Sequence, residues 1–145
     1  MIRRDLWIGR WLVEFYFAPD GYEPEVLLDR MYVYGAPSEK MRRALELMES
    51  GRPNTGFTFS NGYERYALVA IGPTTGGEEF QDSLVHELQH LAVAIATSLG
   101  VDLHGETPAY VAGDAMRELA HVVCALGCGR CRHEKRDGIS AIPWE

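Results

Sequence analysis

The stretch from Val85 to Leu99 constrains the fold of this chain more than any other, because from His90 to Gly100 it carries no charged residue and its apolar positions recur at helical spacing. At about 100° per residue, Leu84, Leu88, Leu91, Ile95 and Leu99 fall on one stripe, and His86 and His90 fall on the opposite side. The stripe predicts a helix that packs its leucines into a core. The lack of charge predicts that the helix is covered on most sides, as a central helix would be. Gly100 supplies its end, where a left-handed cap favours glycine.

Within that helix, His86-Glu87-Leu88-Gln89-His90 carries the chemistry. Residues four apart lie one turn apart on the same side, so the two imidazoles are close enough to share a metal ion. Glu87 projects between the two faces, where its carboxylate reaches a metal-bound water without serving as a ligand. A buried helix whose histidines bond to backbone or solvent needs neither the spacing nor the intervening acid, and the combination favours a metal site. One zinc ion per chain (Zn2+) is expected, since calcium and magnesium prefer all-oxygen sites.

Upstream, the sequence reads mostly as strand and turn. Trp11 to Phe17 is rich in aromatic and β-branched residues and stops at Pro19-Asp20-Gly21, a strand closed by a turn. Met31 to Tyr34 is a second, shorter strand candidate, closed by Gly35-Ala36-Pro37. Ser38 caps a helix with Met41, Ala44, Leu45 and Met48 at helical spacing, ending at Gly51 with Pro53 beyond. Gly56 to Ser60 and Glu64 to Gly72 flank Asn61-Gly62, which predicts a tight hairpin. The second strand leads into the histidine helix, so its end should lie near the metal, and a strand beside that helix offers an extended peptide a backbone to pair with. After Gly100, another helix is expected from Glu106 or Thr107, with Pro108 in its first turn and Glu106, Tyr110, Gly113 and Arg117 sharing a face.

Strands cluster early and helices late, with no βαβ alternation. The expected fold class is therefore α+β: a small antiparallel sheet packed against the helix at 38–50, the histidine helix and the helix after it. The 145 residues fit one domain, residues 1–126, followed by a polar, loosely ordered tail, residues 127–145.

The net charge of −7, from 14 basic and 21 acidic residues, argues against a general nucleic-acid binder. Arg3 and Arg4 are not followed by the continuous apolar core of a signal peptide, and no run reaches the roughly 18 apolar residues of a membrane span. Cys124, Cys128 and Cys131 are odd in number and crowded together, unlike an extracellular disulfide framework, so a reducing cytoplasm is the expected location.

A catalytic zinc needs three protein ligands and an open position, so the histidines require a partner from elsewhere. Glu106 is the first candidate: the 15 residues between it and His90 suffice to finish one helix, turn at Gly100 and return on a second. His104 is the rival, with Asp102 and Asp114 behind it. An acid at this position also has an ordinary role, stabilising the first turn of a helix.

At this point the residues resemble a family. His-Glu-Leu-Gln-His, an apolar helix ending in glycine, and Gly105-Glu106-Thr107-Pro108-Ala109-Tyr110-Val111-Ala112-Gly113 look like the small zinc metallopeptidases of phages and prophages, which are similar to gluzincins. The resemblance covers residues 83–118 well and 54–72 loosely. It implies a zincin-like fold with zinc held by His86, His90 and Glu106, and Glu87 moving the proton from water to the leaving amine. It also implies peptide or protein substrates, with Tyr110 donating a hydrogen bond to the developing oxyanion. Many gluzincins carry an aspartate four residues after the third ligand; here that position is Tyr110, so another group must orient the histidines.

Two other chemistries share these residues. His104-Gly105-Glu106 with Cys128-Gly129-Arg130-Cys131 matches the outline of a nucleobase deaminase, with His104, Cys128 and Cys131 as ligands and Glu106 as proton shuttle. Gly127 stands where that pattern has proline, and such an enzyme would need a parallel sheet continuing after residue 100. Cys124, Cys128 and Cys131 with His121 or His133 outline a structural zinc cluster, against which stands the plainer reading of free thiols. A non-catalytic zincin-fold binding protein of phage or mobile-element origin is the third class.

Overall fold

The computed structural model describes residues 1–127. Its centre is strand β2 (Trp11–Phe17), whose residues are covered from both sides: Trp11, Val13, Phe15 and Phe17 lie in one apolar cluster and Tyr16 in another. Strand β1 (Ile2–Ile8) pairs antiparallel with β2 through the two-residue turn Gly9-Arg10, where Ile8 faces Trp11 and Gly9 takes φ +57°. On the other side, β4 (Tyr66–Ile71) runs parallel to β2, and β3 (Gly56–Asn61) pairs antiparallel with β4, giving the order β1-β2-β4-β3.

Helices cover both faces of this sheet. Helices α1 (Pro24–Val33) and α2 (Ser38–Glu49) bury Leu27, Met31, Ala44 and Met48 against Tyr16, Phe59, Tyr66 and Leu68. On the opposite face, α3 (Gly77–Leu99), α4 (Glu106–Glu118) and α5 (Ala120–Gly127) bury Leu84, Leu88, Leu91, Ile95, Val111 and Val122 against Val13, Phe15, Val69 and Ile71. The fold is mixed α+β, with a four-stranded mixed sheet and five helices among the described residues.

Several expectations need correction. The sheet is mixed rather than antiparallel, because residues 18–65 hold two helices and β3, enough chain for β4 to return alongside β2 in the same direction. Met31 to Val33 is the end of α1, not a strand. Pro24 starts that helix, and Leu27 and Met31, four apart, anchor it to the sheet, which outweighs the strand preference of a short aromatic run. β1 was not anticipated, although Ile2, Leu6 and Ile8 alternate toward the core. Helix α3 is longer than its apolar run and keeps an open side, on which Gln81, Asp82, Val85, His86, Gln89 and His90 are exposed.

No strand follows Ile71 and no helix is long and apolar enough to cross a membrane, among the described residues. Cys128, Cys131, His133 and the tail expected from 127 lie outside the described residues, except for Gly127, which ends α5.

One carboxylate sits inside this framework. Glu14 of β2 is fully buried and accepts hydrogen bonds from Arg30 (3.0 and 2.6 Å), Arg3 (2.8 Å), Tyr16 (3.0 Å) and Tyr66 (2.7 Å). Burial pushes its carboxyl up, but the bonds from Arg30, Tyr66 and Tyr16 outweigh that and hold it below its ordinary value. Burial, and then the charge of Glu14, push the Tyr16 hydroxyl up to about 12.

Candidate metal centre

The buried stripe of α3 fixes where its opposite side points. Leu84, Leu88, Leu91 and Ile95 are at most 3% exposed, which turns His86 and His90 outward toward β3. Their Nε2 atoms stand 3.1 Å apart, with the rings edge to face at 74°. Two imidazoles bound to one tetrahedral zinc at about 2.0–2.1 Å hold their nitrogens about 3.3 Å apart. The separation of the pair is therefore within a few tenths of an ångström of that value. Without a metal, the same spacing accommodates an imidazole–imidazole hydrogen bond.

Glu87 is only 5% exposed, so its side chain enters the space between α3 and the sheet. Thr58 of β3 donates a 2.6 Å hydrogen bond from Oγ1 to Glu87 Oε2. Gly56 makes the approach possible: a Cβ there would lie 3.0 Å from Glu87 Cγ and 2.8 Å from the Ala70 carbonyl oxygen. Nearby, the Tyr22 hydroxyl bonds to the Thr55 carbonyl at 3.1 Å; burial pushes it up, and the charge of Glu87 adds to that rise.

A cleft of about 450 Å³ opens over these groups, lined by Gly56, Phe57, Thr58, Ser60, His86, Glu87 and His90. Its floor is an edge of the sheet, since among the described residues β3 has no neighbour beyond β4. Gly72 N–H donates to the Thr55 carbonyl at 3.0 Å, which sets the alternation along β3. The backbone N–H and C=O groups of Gly56, Thr58 and Ser60 therefore turn away from β4, toward the open edge. A strand-like peptide laid there would pass directly beside the histidines.

The structure brings His86, Glu87 and His90 together and leaves the other described candidates elsewhere. Leu99 and Thr107 line one cavity, so the start of α4 lies at the C-terminal end of α3. Leu99 lies nine positions after His90, roughly 13 Å along a helix. Glu106 is exposed at that far end, and neither it nor Tyr110, 65% exposed on α4, lines the cleft. His104 is exposed in the same turn, its N–H bonded to Asp102, and Asp114 pairs with Arg117 on α4. Cys124 is a free, exposed thiol on α5. No group of three histidine, cysteine, aspartate or glutamate side chains forms among the described residues.

The sequence analysis missed Thr58 and Gly56. The available signal was their alternation, because Gly56, Thr58 and Ser60 share one face of a strand whose other face is Phe57 and Phe59. A scan against protein-family models, a search of curated proteins and a search of solved structures each return no match.

Proposed function

We propose that the chain is a zinc-dependent peptidase, with His86 and His90 as metal ligands and Glu87 as general base. The observation that carries this reading is the 3.1 Å convergence of the two Nε2 atoms beside a buried carboxylate and an open strand edge. Zinc held there would supply a Lewis acid for the scissile carbonyl and make a water molecule acidic enough to attack at neutral pH. The rest belongs to the chain. The edge of β3 aligns the peptide through the backbone groups of Gly56, Thr58 and Ser60. Thr58 fixes the carboxylate of Glu87, which takes the proton from the attacking water and delivers it to the leaving amine.

Supporting the reading as a whole is the resemblance to phage-type metallopeptidases in residues 83–118. A catalytic zinc takes three protein ligands; among the described residues the cleft supplies two of them, His86 and His90, and Glu106, which the resemblance implies as the third, stands at the far end of α3 and rests on the sequence pattern alone. The deaminase outline is the less favoured reading, because the region after Ile71, as far as Gly127, contains helices and no strand, and its Cys128 and Cys131 lie outside the described residues.

Elemental analysis of the purified protein tests the metal assignment. We expect one zinc per chain, lost when His86 and His90 are both replaced by alanine and retained in Glu106→Ala. Zinc content unchanged by the double histidine substitution would contradict the assignment, and loss of zinc in Glu106→Ala would restore Glu106 as the third ligand.

A further inference from the structure

The free edge of β3 carries a cavity on each face. On the α3 side is the histidine cleft. On the other side, between β3 and α2, lies an apolar pocket of about 340 Å³, walled by Met31, Ala44, Leu47, Phe57 and Phe59, with Lys40 at its rim. Thr58 lines both cavities, so they meet at the same point of the strand edge. Leu47 also borders the space beside Asp82, Ser83 and His86, so the edge of β3 is the floor of one trough between α2 and α3.

An extended chain paired to that edge must send alternate side chains to opposite faces. Residues opposite Gly56, Thr58 and Ser60 face the histidines, and residues opposite Phe57 and Phe59 face the α2 pocket. We infer that the α2 pocket is a specificity subsite that takes a bulky apolar side chain of the bound peptide, adjacent in sequence to a residue facing His86 and His90. This rests on the proposed placement of a peptide on β3. The walls favour leucine, methionine or phenylalanine by burial alone. The ammonium of Lys40 lies 5.9 Å from the Phe59 ring and has no carboxylate partner among the described residues, while the guanidinium of Arg43 is tied to Glu39 at 3.2 Å. The rim thus presents one unpaired cation, favouring an acidic or neutral flank over a basic one.

Binding can be read without turnover, using zinc-loaded Glu87→Gln protein and fluorescein-labelled decapeptides of alternating threonine and serine, with or without one central leucine. Fluorescence anisotropy should show the leucine peptide binding about tenfold or more tightly than its leucine-free parent. The difference should vanish in Ala44→Phe, which fills the pocket, and in Leu47→Glu, a half-buried position that keeps the test available if the first variant does not fold. Absence of a leucine preference, or a preference that survives both substitutions, overturns the subsite. Hydrolysis of the same peptides by the wild-type protein is read separately. Cleavage without leucine preference rejects the subsite and keeps the peptidase, whereas leucine-selective binding without cleavage keeps the subsite and rejects the peptidase.

Discussion

At Gly56 a single hydrogen in place of a methyl group decides how close β3 can come to Glu87. Gly56→Ala puts a Cβ against the Ala70 carbonyl oxygen at 2.8 Å and Glu87 Cγ at 3.0 Å. We expect a loss of about 1–3 kcal/mol in stability from overpacking, together with a displaced Glu87, read by urea unfolding and by the rate of any hydrolysis; an unperturbed variant would show that the contact relaxes freely. Glu14 is the other residue with a measurable signature. Its carboxyl is held below its ordinary 4.5, so its contribution to stability is complete above that pH and disappears as pH falls through the folded value. Glu14→Gln should cost about 3 kcal/mol near neutrality, the low end for a broken buried pair because Arg3 and Arg30 keep access to water. It should also flatten the acid side of a plot of Tm against pH; parallel curves for the two proteins would remove Glu14 as a source of acid sensitivity. The sequence announces an acid inside an apolar strand, but not its partners, since Arg30 and Tyr66 come from distant segments.

Among the elements, α3 was legible because its stripe of leucines leaves no second way to bury itself, and α2 and the pairing of β3 with β4 were legible too, although Pro37 rather than Ser38 stands at the N-cap of α2 and four residues, Gly62 to Arg65, join the strands in place of a tight two-residue turn at Asn61-Gly62. α1 was misread at its end because Met31, Tyr32, Val33 and Tyr34 have strand-like side chains, and only the packing of Leu27 and Met31 against the sheet reveals the helix. Leu27 is fully buried, so Leu27→Ala should destabilise the fold by about 2–5 kcal/mol. A change below 1 kcal/mol in chemical denaturation would mean that α1 is not anchored as described. β1 went unread because its core positions are interrupted by Arg3, Arg4 and Asp5, which makes it resemble a charged terminus. For the site, the histidines and Glu87 follow from helix periodicity, whereas the distance from His90 to the start of α4 depends on where α3 stops, nine residues past His90. That length separates Glu106 from the pair, and no local pattern records it.

For the molecule as a whole, the mixed sheet and its two helical layers leave β3, among the described residues, as an edge strand beside the histidine pair, and the trough between α2 and α3 gathers the candidate features along it. The parallel return of β4 beside β2 creates this arrangement, because it places β3 outermost while α3 packs over β3 and β4. Function at this scale depends on whether Glu87 transfers a proton while leaving the metal in place. The direct measurement is hydrolysis of a broad peptide library by wild-type protein and by Glu87→Gln, both shown beforehand to carry the same zinc content and the same thermal stability. We predict cleavage by the wild type and a rate about 10²–10⁴-fold lower in the variant, the usual contribution of a general base. Equal rates would contradict the proposed role of Glu87, and zinc bound in both without cleavage by either would contradict the assignment as a peptidase.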